Sequence, residues 1–173
     1  MNKSDLLFEG SRFRVVRAEQ ILADGSKFVK EIVRHPGAVA ILPLLDDGRI
    51  CLIRNYRLSV EKTLIELPAG TRELGEDPEA TAYRELVEET GYQAQKIELL
   101  ATFYPSPGVL DEQMLLYLAT GLVAGPTDLQ PGERIENLLV TWEQAMAMIR
   151  DGQIQDAKTL TGLLYYRTFR HEI

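Results

Sequence analysis

One charged run between two glycines constrains this chain more than any other feature. The run begins at Gly70, passes Glu76 and ends with the sequence Arg-Glu-Leu-Val-Glu-Glu-Thr-Gly at residues 84–91. Asp77 followed by proline predicts the start of a helix, because aspartate caps free backbone amides and proline fits the first turn. Gly91 predicts its end, because glycine readily adopts the left-handed conformation that closes a helix.

The predicted helix gathers its carboxylates on one side. At about 100° per residue, Glu85, Glu88 and Glu89 fall within a sector of about 100°. Like charges four positions apart destabilise a helix by a few tenths of a kcal/mol, so a partner outside the helix has to offset the repulsion. The face expected to pack against the rest of the protein carries four apolar or aromatic side chains: Ala80, Tyr83, Leu86 and Val87.

A divalent cation fits the role of that partner. Carboxylate oxygens suit Mg²⁺ or Mn²⁺, and magnesium is often held by one or two carboxylates together with water and phosphate. The alternative is a solvated acidic face on an ordinary amphipathic helix. The solvated face is the commoner case for glutamate-rich helices in general, and the glycines, Glu76 and Arg84 favour a metal site only through the motif that they complete.

The run from residue 70 to residue 91 resembles the Nudix box, the motif of enzymes that hydrolyse nucleoside diphosphates linked to another group. About ten positions match together at fixed spacing. The motif usually continues with an aliphatic residue, and Tyr92 stands there instead. An aromatic ring can fill the same apolar role.

The resemblance also implies roles for individual residues. Glu85 and Glu89 are expected to be the principal metal ligands, and Glu88 is expected to join as a further ligand and to take part in catalysis. The backbone carbonyl of Ala69 is expected to complete the site. Arg84 would orient the carboxylates, and Glu76 would anchor the loop or act as another ligand. The residues with structural roles in the motif are Gly70, Glu76, Arg84 and Gly91.

Length and composition restrict the chain to one compact domain. It has 173 residues, of which 45% are hydrophobic and 26% charged, ordinary values for a globular protein. No apolar stretch approaches the roughly 20 residues that span a bilayer. The first residues lack the features of a signal peptide, and Cys51 is the single cysteine. We therefore expect a cytoplasmic protein without membrane contact.

The net charge of −7 argues against a nucleic-acid polymer as partner, since the chain has no basic run that could displace counterions. The same charge is awkward for a diphosphate substrate. A bound divalent ion would invert the local field around the acidic residues. The charge pattern is thus consistent with a small phosphorylated substrate and a metal ion.

Extended segments surround the box. Residues 12–22 and 27–34 flank a turn and predict an N-terminal hairpin, while 38–45 and 49–57 predict a second strand pair around Asp46-Asp47-Gly48. Thr141 begins a capping box and predicts a helix over about 142–150. Further strands are expected at 63–67, 97–104, 113–120 and 135–141, and a last helix from Asp156 through 169.

Helices interspersed with strands predict an α/β protein with a mixed β-sheet in an α/β/α sandwich, which is also the Nudix fold that the resemblance implies. We expect residues 1–36 to form an N-terminal antiparallel β-hairpin subdomain and residues 37–173 to form the Nudix hydrolase domain. In related enzymes the N-terminal segment crosses to a partner subunit. A homodimer is therefore expected, with this segment in its interface.

A loop after the box carries a second group of candidates. Residues 104–112 read Tyr-Pro-Ser-Pro-Gly-Val-Leu-Asp-Glu. They resemble the loop of ADP-ribose pyrophosphatases, as do residues 159–166. A carboxylate on a mobile loop can accept a proton from an attacking water molecule. The resemblance assigns this catalytic role to Glu112, with Asp111 as the alternative, whereas the loop sequence alone is more typical of a simple turn.

The resemblance implies hydrolysis of ADP-ribose to AMP and ribose 5-phosphate. The expected substrate-binding residues are Arg57, Lys30, Glu31, Pro107 and Gly108. Arg57 would contact a phosphate or the terminal ribose, or else form a surface salt bridge. Lys30 and Glu31 would contact the nucleobase in the partner subunit's site.

Two alternatives stay open at this point. GDP-mannose or another sugar nucleotide would be cleaved by the same chemistry, and the loop around Pro107 favours ADP-ribose over these substrates. A non-catalytic ligand-binding module would keep the fold without turnover. The intact Glu85, Glu88 and Glu89 argue against it.

Overall fold

The computed structural model describes residues 4–130, 132 and 134–170. Within these residues the chain forms ten strands and three helices, and none of the helices has the length and apolar character needed to cross a bilayer. In chain order the elements are β1 (Ser4–Glu9), β2 (Arg14–Ile21), β3 (Lys27–Arg34), β4 (Ala38–Pro43), β5 (Ile50–Arg57), β6 (Lys62–Glu66), β7 (Ala69–Thr71), α1 (Pro78–Thr90), β8 (Tyr92–Phe103), β9 (Met114–Ala124), β10 (Ile135–Val140), α2 (Trp142–Arg150) and α3 (Ala157–Phe169).

The strands form three sheets. A four-stranded sheet has the order β7-β4-β9-β8 and is mixed, because β4 and β9 run parallel while the other neighbours are antiparallel. A second sheet, of order β10-β5-β6, is antiparallel throughout. The third sheet, β1-β2-β3, contains the N-terminal strands. The expected α/β class with a mixed sheet is confirmed.

The predicted pairing of residues 38–45 with 49–57 is wrong. A turn does form at 46–48, with one bridge between Leu44 and Ile50, but the two strands then enter different sheets. All six residues of β4 are buried. A strand buried on both faces lies inside a sheet, and β4 takes β7 and β9 as its neighbours. Nearness in sequence suggested a hairpin, but burial on both faces decided the partners.

The mixed sheet separates two apolar clusters. Side chains alternate between the faces of a strand, so Val39 and Ile41 of β4 join a cluster that contains residues of α1. Ala38, Ala40 and Leu42 belong to the other cluster, together with residues of β5, α2 and α3. One helix therefore covers one face of the mixed sheet, and the antiparallel sheet and two helices cover the other.

The N-terminal hairpin is present, with β2 and β3 paired in register from Arg14↔Arg34 to Ile21↔Lys27. The sequence did not reveal β1, which pairs with β2 and makes this a three-stranded sheet. An isolated parallel bridge joins Val33 of β3 to Leu110. The domain ranges 1–36 and 37–173 stay a prediction, and their residues 1–3, 131, 133 and 171–173 lie outside the described residues.

Helix α1 begins and ends as expected. The carboxylate of Asp77 accepts a hydrogen bond from the backbone of Ala80, and Pro78 occupies the first turn. Gly91 has a φ of 74° and closes the helix. A β-carbon at Gly91 would lie 2.2 Å from the carbonyl oxygen of Gly125, so a close approach requires this glycine as well as its backbone angle.

The buried face of α1 differs from the expected one. Ala80 is exposed and Val87 is half-buried, whereas Thr81, Ala82 and Leu86 are buried. Glu85 and Glu89 lie among these buried positions. The helix is therefore rotated so that Glu85 and Glu89 enter the protein instead of facing solvent.

Candidate active site

The short strand β7 lies directly against the acidic side of α1. A β-carbon on Gly70 would lie 1.9 Å from the carboxyl carbon of Glu85, so the carboxylate occupies the space that any other residue's side chain would need. One residue earlier, the amide of Ala69 donates a hydrogen bond of 2.9 Å to Glu89. Because β7 pairs with β4 and α1 packs on the same sheet, the sheet brings the two elements together.

Arg84 connects three carboxylates through its guanidinium group. Its Nε and Nη2 contact the two oxygens of Glu76 at 3.0 and 3.1 Å. Its Nη1 contacts Glu85 at 2.7 Å and Glu88 at 3.2 Å. A planar guanidinium with donors at fixed angles is suited to such bridging. The positive charge of Arg84 thereby offsets part of the repulsion among the glutamates.

Glu76 is held by the same contacts and by the backbone. Its carboxylate also accepts a hydrogen bond of 3.0 Å from the amide of Glu73. The hydrogen bonds from Arg84, aided by that from Glu73, lower the pKa of Glu76 to about 2. The hydrogen bonds to Glu76 raise the pKa of Arg84 in turn. Glu76 therefore stays ionised and ties the loop to α1.

The carboxylate oxygens of α1 fit a hard divalent cation as ligands. Glu85 is 9% exposed and Glu89 is 5% exposed, and buried carboxylates require compensation by hydrogen bonds or cations. Carboxylate oxygens are the ligands that Mg²⁺ and Mn²⁺ prefer. Among the described residues, no three acidic, histidine or cysteine side chains are arranged as a metal cluster. The assignment of Glu85, Glu88, Glu89 and the Ala69 carbonyl as ligands stays a prediction.

A groove with a volume of about 1360 Å³ runs along these carboxylates. Both Glu85 and Glu89 line it, and Glu112 lines it as well. The groove thus contains the buried carboxylates of α1 and the carboxylate of the loop. Glu88 is absent from its lining residues. Other residues around the groove include Ala69, Gly70, Arg84 and Arg57.

The two acidic residues of the loop have different surroundings. Asp111 uses both oxygens, one for Nη1 of Arg34 at 2.9 Å and one for the backbone amide of His35 at 2.8 Å. Glu112 has its carboxylate 3.3 Å from Nδ1 of His35. Because Asp111 is occupied in holding the loop, the geometry favours Glu112 as the residue that can accept a proton.

Arg57 forms a salt bridge with a buried carboxylate rather than one at the surface. Its Nε and Nη2 contact the two oxygens of Glu66 at 2.8 and 2.7 Å. Lys158, in the first turn of α3, binds the same carboxylate and also lies 3.0 Å from Asp156. Burial alone would raise the pKa of Glu66, but Arg57 and Lys158 outweigh it and the pKa is lowered. Arg57, Lys158 and Asp156 all line the groove.

The remaining predicted substrate residues lie elsewhere in this chain. Lys30, Pro107 and Gly108 line a separate pocket of about 250 Å³ between β3 and the loop. Glu31 is exposed and contacts Arg17 at 3.4 Å. A single chain therefore does not bring these four residues to the large groove, and their predicted contacts with substrate stay a prediction.

Three residues of this region were not identified from the sequence: Glu66, Lys158 and His35. Glu66 stands in an almost entirely apolar run just before the box, and a charge in such a run signals a buried ion pair. Its partner Lys158 gave no such signal, because it is 92 residues away. The close approach of the His35 and Glu112 side chains likewise arises only in the folded chain.

The buried carboxylates of Glu85 and Glu89 and the carboxylate of Glu112 thus line one groove. The chain belongs to the Nudix family, since the NUDIX domain model matches residues 34–163. It is accordingly a Nudix pyrophosphohydrolase, and members of the family generally depend on a divalent metal ion.

Two curated relatives are similar over most of their length. An ADP-ribose pyrophosphatase of Bacillus subtilis is 39% identical over 161 residues, which cover 92% of this chain and 87% of the relative. A methanol dehydrogenase activator of Bacillus methanolicus is 38% identical, with coverage of 94% and 89%. A crystal structure of an ADP compounds hydrolase has a TM-score of 0.83 and 22% identity, covers 96% of this chain and 91% of that one, and shows the shared fold.

The contact between Gly70 and Glu85 leads to a test by substitution. Gly70→Ala would push the Glu85 carboxylate out of its place, since the added β-carbon would lie 1.9 Å from it. We expect hydrolysis to slow by about 100-fold, because a displacement of about 1 Å at a reacting centre can have this effect. Steady-state rates with a nucleoside diphosphate substrate would measure it.

The matched control is Gly75→Ala in the loop between β7 and α1, where an added β-carbon meets nothing within 4 Å. Its positive φ of 81° adds backbone strain but leaves the site intact. Urea unfolding would show that both variants fold. An unchanged rate in Gly70→Ala would contradict the close packing of Glu85.

The lowered pKa of Glu76 predicts a pH-dependent contribution to stability. The ordinary pKa of a glutamate is 4.5, whereas that of Glu76 in the folded protein is about 2. The stabilisation is therefore complete above pH 4.5 and is lost as the pH falls towards 2. Glu76→Gln should reduce the free energy of unfolding by about 1 kcal/mol at pH 7, after allowance for solvent screening.

Urea unfolding at pH 7 and pH 3 would measure the difference between wild type and Glu76→Gln, which should shrink at the lower pH. Glu79→Gln, an exposed position in the first turn of α1, is the control, with an expected change of about 0.5 kcal/mol or less. A difference that is equal at both pH values would argue against the lowered pKa.

Proposed function

We propose that this protein hydrolyses ADP-ribose to AMP and ribose 5-phosphate. The observation that carries the proposal is the placement of Glu85, Glu89 and Glu112 around one groove. The similarity to an ADP-ribose pyrophosphatase over 92% of the chain supports this choice of substrate. In the reaction, a water oxygen forms a bond to one phosphorus and the bond between that phosphorus and the bridging oxygen breaks.

Glu85 and Glu89 would hold the divalent ion, Mg²⁺ or Mn²⁺, with Glu88 and the carbonyl of Ala69 as further ligands. When bound, such an ion neutralises phosphate charge and lowers the pKa of coordinated water. The protein contributes the placement of these oxygens. Gly70 allows Glu85 to approach β7, and the amide of Ala69 orients Glu89 through a 2.9 Å hydrogen bond.

Glu112 would accept the proton of the attacking water. Its side chain is 18% exposed and lines the groove, so the carboxylate remains within reach of a substrate bound there. Arg57 would contact a phosphate or the terminal ribose from the groove wall, with Glu66 fixing the direction of its guanidinium. Fixed donors of this kind lose little entropy when substrate binds.

A rate comparison across substrates would test the proposal. We expect hydrolysis of ADP-ribose with Mg²⁺ to exceed that of GDP-mannose and NADH, and chelation of the metal to abolish it. Glu89→Gln should lower turnover by about 100-fold or more, because the neutral amide is a weaker ligand for a hard cation. The amide oxygen can still accept the hydrogen bond from Ala69, so the fold should persist.

Glu79→Gln makes the same chemical change at an exposed position of the same helix and should leave turnover unaffected. If GDP-mannose were hydrolysed faster than ADP-ribose, the preferred substrate would be a sugar nucleotide, and the reaction would be the same. Binding of ADP-ribose without turnover would instead indicate a ligand-binding module. A wild-type rate in Glu89→Gln would refute its assignment as a ligand.

We also propose a homodimer that is formed through the N-terminal sheet. Large apolar side chains of this sheet are exposed in the single chain, among them Leu6 at 55%, Phe8 at 53% and Ile21 at 60%. Phe28 and Val29 are adjacent in β3 and exposed at 49% and 44%, so both faces of the strand present apolar surface. Several large exposed apolar side chains on one sheet support an interface for protein association there.

In such a dimer, Lys30 and Glu31 of one subunit would reach the groove of the other.

A cytoplasmic location agrees with the chemistry of Cys51, which is buried and forms no disulfide. Burial raises the pKa of its thiol to about 12 and keeps it protonated. A protonated, buried thiol is an apolar core residue rather than a reactive group.

Light scattering after size-exclusion chromatography would test the dimer. We expect a mass of twice 19.5 kDa for the wild type and a shift to monomer for Phe28→Asp, because a buried unpaired carboxylate opposes association. Val123→Asp changes a side chain that is 56% exposed on β9 and serves as the control. A monomeric wild type, or dimeric Phe28→Asp, would contradict this interface.

A further inference from the structure

The loop that carries Glu112 is attached to the end of β3. The amide of Val33 donates to the carbonyl of Val109 at 2.8 Å, and the amide of Asp111 donates to the carbonyl of Val33 at 3.1 Å. The carboxylate of Asp111 binds Arg34 and the backbone of His35. Three consecutive residues, 33–35, therefore fix the backbone immediately before Glu112.

The backbone immediately after Glu112 is fixed as well. The carbonyl of Gln113 accepts a hydrogen bond of 3.0 Å from the amide of Ala38, at the start of β4. Met114 then begins β9 beside Ala38 in the mixed sheet. With both flanks held, the freedom that remains to Glu112 is that of its own side chain.

The imidazole of His35 restricts that side chain. Its Nδ1 lies 3.3 Å from Oε1 of Glu112, and the two side chains are only 12% and 18% exposed. The amide of Gly37 also donates to Nδ1, at 3.2 Å. Nδ1 has a single in-plane bonding position, so it either accepts from Gly37 or, when it carries a proton, donates to Oε1 of Glu112. The attraction to Glu112 belongs to the protonated ring.

We propose that His35 is a positioning residue for the reaction, because its imidazole holds the Glu112 carboxylate at the edge of the groove. His35 lines the groove beside Glu112, and the role assigned to it rests on the proposed function of Glu112 as proton acceptor. A long, flexible glutamate side chain has several rotamers, and fixing it before substrate binds removes an entropic loss from the reaction.

A purely structural role for His35 is the competing explanation, since an unprotonated Nδ1 instead accepts the hydrogen bond from Gly37 in the turn between β3 and β4. The two explanations differ in what happens when Glu112 is already disabled. A residue that acts through Glu112 loses its effect in that background, whereas a turn residue keeps it. Two substitutions that act on one step are strongly non-additive.

The test measures kcat and KM for ADP-ribose hydrolysis in four variants of the full chain. His35→Leu should lower kcat by about 10- to 100-fold, the usual effect of removing a residue that orients a reacting group, with KM changed by less than about 3-fold. His35→Asn should recover most of this loss, since the Asn amide can place an N–H near the position of Nδ1.

Glu112→Gln should lower kcat by about 100- to 10,000-fold, the contribution of a general base. The double variant with His35→Leu should then be no slower than Glu112→Gln alone. A wild-type kcat in His35→Leu would overturn the proposal, and so would an equal fold-loss from His35→Leu in both backgrounds. Failure of His35→Asn to improve on His35→Leu would also count against it.

The carboxyl ¹³C resonance of Glu112 separates this inference from the proposed function. If the wild type failed to hydrolyse ADP-ribose, the proposed function would fall, but this resonance would still report the contact between His35 and Glu112. His35→Leu should shift the carboxyl resonance of Glu112 and leave that of the exposed Glu79 unchanged. An unshifted Glu112 resonance in His35→Leu would overturn the positioning role whatever the activity.

Discussion

The packing of Glu85 against Gly70 is the contact on which the site depends. It requires a residue without a side chain on β7 and a carboxylate turned into the protein on α1. Burying Glu85 and Glu89 in this way would be unfavourable in isolation. Arg84 and the amide of Ala69 supply compensating charge and hydrogen bonds. The strand and the helix therefore hold the carboxylates of the groove in fixed positions.

Two ionic networks lie on the walls of the groove and have different purposes. Arg84 joins Glu76, Glu85 and Glu88, which are close in sequence and belong to the same loop and helix. Glu66 joins Arg57 to Lys158, and thereby connects β5, β6 and α3. The first network orients carboxylates within one motif, while the second fixes the relative position of separate elements. Because burying charges costs desolvation energy, a buried pair such as Arg57 and Glu66 is weak evidence for added stability.

The sequence predicted the boundaries of the helices correctly, because capping residues act within one helical turn. Asp77 and Gly91 bound α1 as expected, and Thr141 and Asp156 cap α2 and α3. Apolar runs predicted the positions of most strands, but not of β1 or β7. They did not predict the strand partners, because β4 pairs with β9, which is distant in sequence, rather than with its neighbour β5. The rotation of α1 was also missed, since a helical wheel cannot show which flank a sheet will cover.

The sequence by itself determined the Nudix motif, the helix that bears its glutamates and the loop that bears Glu112, because capping, periodicity and motif spacing act over a few residues. Tertiary structure decided which carboxylates are buried and which residues meet them. Lys158 meets Glu66 across 92 residues, and the backbone of His35 meets Asp111 across 76. The physical reason is that such contacts arise only when sheets and helices pack, and no local pattern encodes their partners.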